Sequence, residues 1–214
     1  MTIEIRAARR VDAPLIAWTM LMAGRSHMER GIWDIIISQP EKKCLELLEA
    51  LTLAGPRHMC SYEEFLVAQV DGRPVAALSG YDPATNGELT VTEPLAVAVQ
   101  EMGLTEEDMA AGNKGLEAFM TCHPDDIEGA WIVEHVAALP EYRRQGAISS
   151  LLEAILDKGR QLGFGLAQVS FYIGNTPAQR AYEKAGFKWS QEKRHPDFEA
   201  EIGCPGMVRL LRDL

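Results

Sequence analysis

The sequence predicts one α/β domain of 214 residues, with helices packed on a sheet and a helical insertion at 82–129. Three observations predict it. Strand-like alternation opens the chain, an Asp71-Gly72 turn joins two β-rich runs, and residues 130–173 read as strand, helix, strand. With 47% hydrophobic and 24% charged residues, the chain is of ordinary globular composition and can bury a core.

In Thr2 to Ala8, Ile3, Ile5 and Ala7 alternate with polar neighbours, which predicts a first strand. Asp12 and Pro14 stand where an N-cap and a first-turn proline belong, opening a helix through about Met22. A second helix is expected from Glu41 to about Leu53, with Leu45, Leu48 and Leu51 along one side and Gly55-Pro56 ending it. Phe65 to Val70 and Pro74 to Tyr81 flank Asp71-Gly72 as a hairpin. Ser61 and Glu64 resemble a capping box, but the turn and the β-branched residues after it favour strands.

Residues 82–129 differ in character. Asp82-Pro83 and Asn86-Gly87 are turn dipeptides, and Pro94 starts a short apolar helix that stops at Gly103. Thr105 and Asp108 form a capping box, with Leu104 and Met109 as a staple, and Ala111-Gly112-Asn113 is expected to break that helix. The insertion is either an extra packing layer or a lid over a cleft. Ala130 to Leu139 has the length of a central strand and Leu166 to Ile173 is another. A helix over Thr176 to Ala185 ends at Gly186, and strands follow at Phe187 to Ser190 and Met207 to Leu211.

The balance of 21 basic against 31 acidic residues argues against nucleic acid or an anionic membrane as partner. It suits cationic ligands, or serves solubility alone. Cys44, Cys60, Cys122 and Cys204 are scattered without a CxxC pair, as in reduced cytosolic proteins. MTIEIRAARR has no apolar signal core, and Leu15 to Met22 is too short to span a bilayer, so the cytoplasm is the expected compartment. His27, His58, His123, His135 and His195 show no HxxxH or HExxH spacing, so no metal site is expected; His123 and His195 precede prolines and read as loop residues.

The most informative stretch is LPEYRRQGAISSLLEAIL, residues 139–156. Ile148, Leu151, Leu152, Ile155 and Leu156 line one helical face, with Lys158 and Arg160 in the last turn. Arg143 and Arg144 stand instead at the helix start, where cations oppose the macrodipole at about 0.3–1 kcal/mol each. A bound phosphate would reverse that penalty, because free N–H groups and the dipole both favour an anion there. Gly146 would let the backbone approach it. Taken alone, the two arginines favour solvation at a turn; with Gly146 and the strand–turn–helix context, phosphate binding is expected.

Here the chain resembles the GCN5-related N-acetyltransferase (GNAT) family. The coenzyme A motif, Gln/Arg-x-x-Gly-x-Gly/Ala between a central strand and a helix, reads Arg143-Arg144-Gln145-Gly146-Ala147-Ile148, after Leu139-Pro140-Glu141-Tyr142. A second signature, NTPAQRAYEKAGF, carries Asn175, Tyr182, Gly186 and Phe187. The resemblance is specific over residues 130–190. It implies a GNAT-type mixed, mostly antiparallel sheet with a V-shaped opening, helices on both faces, and the insertion between strands 3 and 4. Ile148 departs from the motif, where Gly or Ala is usual. Its side chain would hold a pyrophosphate farther from the backbone or turn into the core, and its place in the apolar face favours the core.

The resemblance also implies acetyl-CoA as cosubstrate and direct attack of an amine on the thioester. Backbone groups of Val136, Ala137 and Ala138 would face the pantetheine arm, and amides from Arg144 through Gln145, Gly146, Ala147 and Ile148 to Ser149 would hold the pyrophosphate. Tyr182 would hydrogen-bond the leaving thiolate; packing with its hydroxyl at the rim is the competing account. Asn175 would bond the pantetheine or cap the next helix. Glu134, a carboxylate in an apolar strand, is the candidate base, with a salt bridge or a water chain as alternatives. His135 is expected on the opposite face, since strand side chains alternate. Met20, Met22, Met28 and Trp18 read as core or substrate wall, and Asp197, Glu199 and Glu201 in a loop at 192–203 as acids bordering the acceptor site or a solvated loop. The acceptor would be an amine of a small molecule or a peptide. A non-catalytic acyl-CoA-binding sensor module remains the alternative, and a homodimer is left open.

Overall fold

The computed structural model describes residues 2–214, with side chains described at all of these but 106–108 and 111. β1 (Ile3–Ala7) leads into α1 (Ala13–Arg25), with Pro14 in its first turn. Asp12 does not cap that helix. It accepts two bonds of 2.7 Å from the Arg6 guanidinium and one of 2.7 Å from the Arg9 N–H. A short α2 (Ile32–Ile37) follows that the sequence did not signal, since IWDIII is too short and too uniformly apolar to show a helical period. Asp34 holds it in place, accepting from the Gly31 N–H at 2.9 Å and pairing with Arg25 at 2.7 Å. α3 (Glu41–Leu53) has the expected bounds.

β2 (Phe65–Val70) and β3 (Arg73–Tyr81) form the hairpin across Asp71-Gly72. Between β3 and the next strand lie α4 (Pro83–Asn86), α5 (Thr92–Glu101) and α6 (Glu106–Met120). The break expected at 111–113 does not occur, and α6 runs through it. Gly112 and Gly115 sit where α6 crosses α2: a Cβ on Gly112 would strike the Ile36 carbonyl, and one on Gly115 the Ile35 side chain. These glycines permit close packing, at a helix-propensity cost of about 1 kcal/mol each. The Thr105–Asp108 box rests on a side chain outside the described residues.

β4 (Ala130–Ala138), α7 (Ala147–Gln161) and β5 (Leu166–Tyr172) form the crossover unit. α8 (Thr176–Lys184), β6 (Lys188–Arg194), α9 (Pro196–Ile202) and β7 (Gly206–Asp213) complete the chain. The expected loop at 192–203 is thus the end of a strand and a helix; His195-Pro196 supplies an N-cap and a first-turn proline. The sheet order is β1-β2-β3-β4-β5-β7-β6, and β4–β5 is its parallel pair among antiparallel ones.

Both faces are covered. Leu151, Leu152, Ile155 and Leu156 of α7 pack on Ala68, Val70, Ala76, Leu78 and Val133. On the other face, Ile16, Met20 and Leu21 of α1 and Leu47, Leu48 and Leu51 of α3 meet Phe65, Val67 and Ala77. Each such side chain contributes about 1.5–3 kcal/mol on burial. A smaller cluster of Ile35, Cys122, Tyr172, Phe198, Ile202 and Met207 ties α2 and α9 to the β5–β7 edge. No described helix is long and apolar enough to cross a membrane.

Candidate active site

The site arises where the parallel pair comes apart. β4 and β5 are hydrogen-bonded from Ala130↔Leu166 to Val133↔Val169, and no further. Beyond that point β4 stays on β3 through Ala138, while β5 stays on β7 through Tyr172. Glu134–Ala138 and Ser170–Tyr172 therefore face each other across an opening with no strand pairing between them, which leaves room for a ligand to pair along β4. It continues into a cleft of about 1680 Å³, reaching from the start of α7 to α5 and α6.

One end is the turn into α7. Arg144 has φ +62° and Gly146 has φ +96°, which reverses the chain so that helix starts at Ala147. The first α7 bond runs from the Ser150 N–H to the Gly146 carbonyl at 3.0 Å. Among the described residues, the N–H groups of 144–149 find no acceptor. A Cβ on Gly146 would meet only Ile3, at 3.6 Å, so the glycine answers a backbone conformation and not a crowded neighbour. With Arg143 and Arg144 beside this row of donors, the turn fits the pyrophosphate of a coenzyme A. Ile148 packs against the core beneath α7, as its place in the apolar face favoured, and it also lines the cleft. All the sequence-derived site residues line the cleft except Gln145, whose amide donates back to the Glu141 carbonyl at 2.7 Å. Arg143 donates its Nε to the Ala138 carbonyl at 3.3 Å.

The middle of the cleft holds the reactive groups. Glu134 accepts a 3.0 Å hydrogen bond from the Tyr81 hydroxyl, and its side chain is 23% exposed. Burial holds its carboxyl above the usual range, against the opposing pull of His123 and the Tyr81 bond. His135 is not on the opposite face. Between Ala77↔Ala137 and Ser79↔Glu134, β4 advances one residue more than β3, and His135 takes φ +50° in the resulting bulge. Its ring lies 5.8 Å from Phe65, with Nδ1 3.1 Å from the Ser79 hydroxyl and 3.9 Å from Glu134. Burial lowers its pKa to about 4, so it is a neutral imidazole at neutral pH.

Tyr182, 6% exposed, packs against Phe171 and Phe187 with ring centroids at 5.8 and 6.1 Å. Burial first, and the charge of Glu134 second, push its hydroxyl well above the ordinary tyrosine value. Asn175 caps α8, accepting from the Ala178 N–H at 3.1 Å, and its amide donates to Ser26 at 2.6 Å. The cap alternative is thus realised, with a further tie to the end of α1.

The far end is built by residues that the sequence did not single out. Glu88 lies 3.3 Å from Nδ1 of His123, and both line the cleft with Glu134. Burial lowers the His123 pKa and raises that of Glu88. Trp33 and Ile36 of α2, Leu95 and Val99 of α5, and Leu116 and Phe119 of α6 form apolar wall. Of the methionines and tryptophan considered earlier, Met22 lines the cleft, Met20 is core, Met28 supports the α9 cluster, and Trp18 lies half-buried in α1. Asp197, Glu199 and Glu201 do not line the cleft; Glu201 pairs with Lys114 at 3.1 Å and Asp197 lies 3.7 Å from His195. Among the described residues no metal-binding cluster forms.

The acetyltransferase (GNAT) family model matches residues 105–187, the segment containing the opening of the sheet, the turn into α7, and Tyr182. That segment carries the likeness to the GNAT family. Solved structures share the fold along nearly all of this chain. One is an acetyltransferase, 21% identical over 98% of each chain, with a TM-score of 0.71. Another, an N-acetyltransferase from Staphylococcus aureus Mu50, is 19% identical over 98% of this chain and 100% of its own, TM-score 0.70. A third is the paia N-acetyltransferase from Thermoplasma acidophilum in complex with coenzyme A, 13% identical over 100% of both chains, TM-score 0.50. No curated protein matches the chain in sequence. The general chemistry of the family is acyl transfer.

Proposed function

We propose that this protein transfers the acetyl group of acetyl-CoA to an amine by direct attack. The observation that carries the reading is the opening of β4 from β5 beyond Val133↔Val169, with the donor-rich turn at one end and Glu134 and Tyr182 lining it. The pantetheine arm would extend along Val136, Ala137 and Ala138 as an added strand, and the N–H groups of 144–149 would take the pyrophosphate. The amine nitrogen then forms a bond to the thioester carbonyl carbon, and the C–S bond breaks. The proton lost by the amine passes to Glu134, which burial makes more basic than an ordinary glutamate. The departing sulfur takes its proton in the end from solvent.

Tyr182 contributes a hydrogen bond to that sulfur and not a full proton, because burial makes its hydroxyl a weaker acid than an ordinary tyrosine. The insertion of α5 and α6, as part of the same domain, would serve as the lid of the acceptor end. A thermal-shift titration with acetyl-CoA, followed by free-thiol release across an amine panel, tests the reading. Stabilisation together with amine-dependent thiol release is expected. Stabilisation without turnover on any amine would instead identify a coenzyme-binding sensor, and no stabilisation would remove the cofactor site.

A further inference from the structure

We infer that the acceptor is a small amine borne on an apolar body and free of any carboxylate. This rests on the acyl transfer proposed above and names the substrate class of that same site. The cleft, at about 1680 Å³, exceeds the roughly 300–1,000 Å³ of most small-molecule sites, and its lining continues past Glu134 to α2, α5 and α6. The walls there come from Trp33, Ile36, Leu95, Val99, Leu116 and Phe119. Leu116 is 39% exposed and Met120 beside it 45%, so apolar surface stands open to solvent inside a binding cleft.

Charge then fixes the head group. The carboxylates among the described lining residues are Glu88 and Glu134. The Lys and Arg among them are Arg143 and Arg144, both in the turn at the cofactor end. His123 lies 3.3 Å from Glu88, and burial disfavours its charged form. An ammonium entering here is drawn to two carboxylates and can lose its proton to Glu134. A carboxylate on the same substrate would be desolvated against Glu88, with the lining arginines at the opposite end of the cleft. A polyamine would satisfy the carboxylates but leave its second ammonium among leucine, valine and phenylalanine side chains. A peptide would bring backbone N–H and C=O groups to walls that offer them few partners.

The test measures initial rates of free-thiol release from acetyl-CoA with phenethylamine, phenylalanine and putrescine at equal concentration. Phenethylamine is expected to exceed both others in kcat/KM by about 10-fold or more. A Leu116→Glu variant, at an exposed position that folding tolerates, should lower kcat/KM for phenethylamine roughly 10-fold. It should leave the acetyl-CoA thermal shift unchanged. Turnover that prefers phenylalanine or putrescine overturns the substrate class while leaving acyl transfer standing. Faster turnover with octanoyl-CoA than with acetyl-CoA, indifferent to the amine, would assign the apolar walls to the acyl chain and overturn it as well. Cofactor stabilisation without thiol release on any of the three amines overturns the acceptor class together with the proposed reaction.

Discussion

The two ends of the cleft are built on opposite principles. The cofactor end is local: Arg143, Arg144 and Gly146 lie within one turn, and the row of free N–H groups follows from where α7 begins. The acceptor end is assembled from distant segments, with Trp33 on α2, Glu88 before α5, Phe119 on α6, His123 after it and Glu134 on β4. One end is cationic and donor-rich; the other is apolar with carboxylates. A local site of this kind can be read and broken at single positions. A dispersed one changes its specificity whenever any of several packing contacts moves, which suits a constant cosubstrate at one end and a particular acceptor at the other.

Glu134 stands where the two ends meet, so its loss should have the largest effect. Glu134→Gln is expected to lower kcat about 100-fold, the scale of a removed general base. Sign matters here: the base works deprotonated, so wild-type kcat rises as pH climbs through the raised pKa of Glu134. In the Gln variant that limb should vanish, leaving only the rise due to the amine itself. Steady-state rates from pH 5 to 9 would show it. A fall of less than threefold with the limb intact would move the proton to a water chain.

Gly146→Val sharpens the contrast from the other side. At φ +96° a β-branched residue carries strain of about 1–3 kcal/mol, relieved only if the turn shifts its N–H groups. KM for acetyl-CoA should rise roughly 30-fold, the equivalent of about 2 kcal/mol, while KM for the amine stays near its wild-type value. A parallel rise in both constants would mean that the ends are mechanically coupled. Circular dichroism of the variant separates that result from a general loss of fold.

This contrast also decided what the sequence could reveal. The hairpin, the crossover unit, α7 and α8 each announce themselves through a turn dipeptide, a period or a cap, so their bounds were legible. The turn into α7 was legible because its chemistry is contiguous. α2 was not, being one and a half turns of nearly uniform apolar residues. The continuity of α6 through Gly112 was hidden because the reason for the glycine, the Ile36 backbone, lies 76 positions earlier (112 − 36). The facing of His135 depends on a bulge in the β3–β4 register, and a strict alternation of faces sends it the wrong way. Glu88 and His123 have no mutual spacing that chemistry requires; only the fold brings them to 3.3 Å. The acids at 197–201 were conspicuous in sequence, yet a helix start and a pairing with Lys114 account for them.

The smallest expected effect concerns the electrostatic cost of the acceptor end. Asp126 lies behind the cleft, with Gln168 Nε2 donating to it at 3.2 Å. Burial first, then the charges of Glu134, Glu88 and Asp125, push its carboxyl up to about 7. A folded pKa above the unfolded value means that the fold favours the protonated acid. The stability this group contributes is full below the ordinary aspartate range and is lost as pH rises toward 7. Above that, a carboxylate is held against its neighbours. Asp126→Asn imitates the protonated form and keeps an acceptor for Gln168. The variant should therefore melt at nearly the wild-type temperature at pH 4 and a few degrees higher at pH 8, as differential scanning fluorimetry would measure. If the gain is equal at both pH values, the packing of the amide causes it and the carboxylates of the acceptor end do not repel. If it appears only at pH 8, part of the stability of the molecule is given up to keep negative charge where the proposed amine would enter.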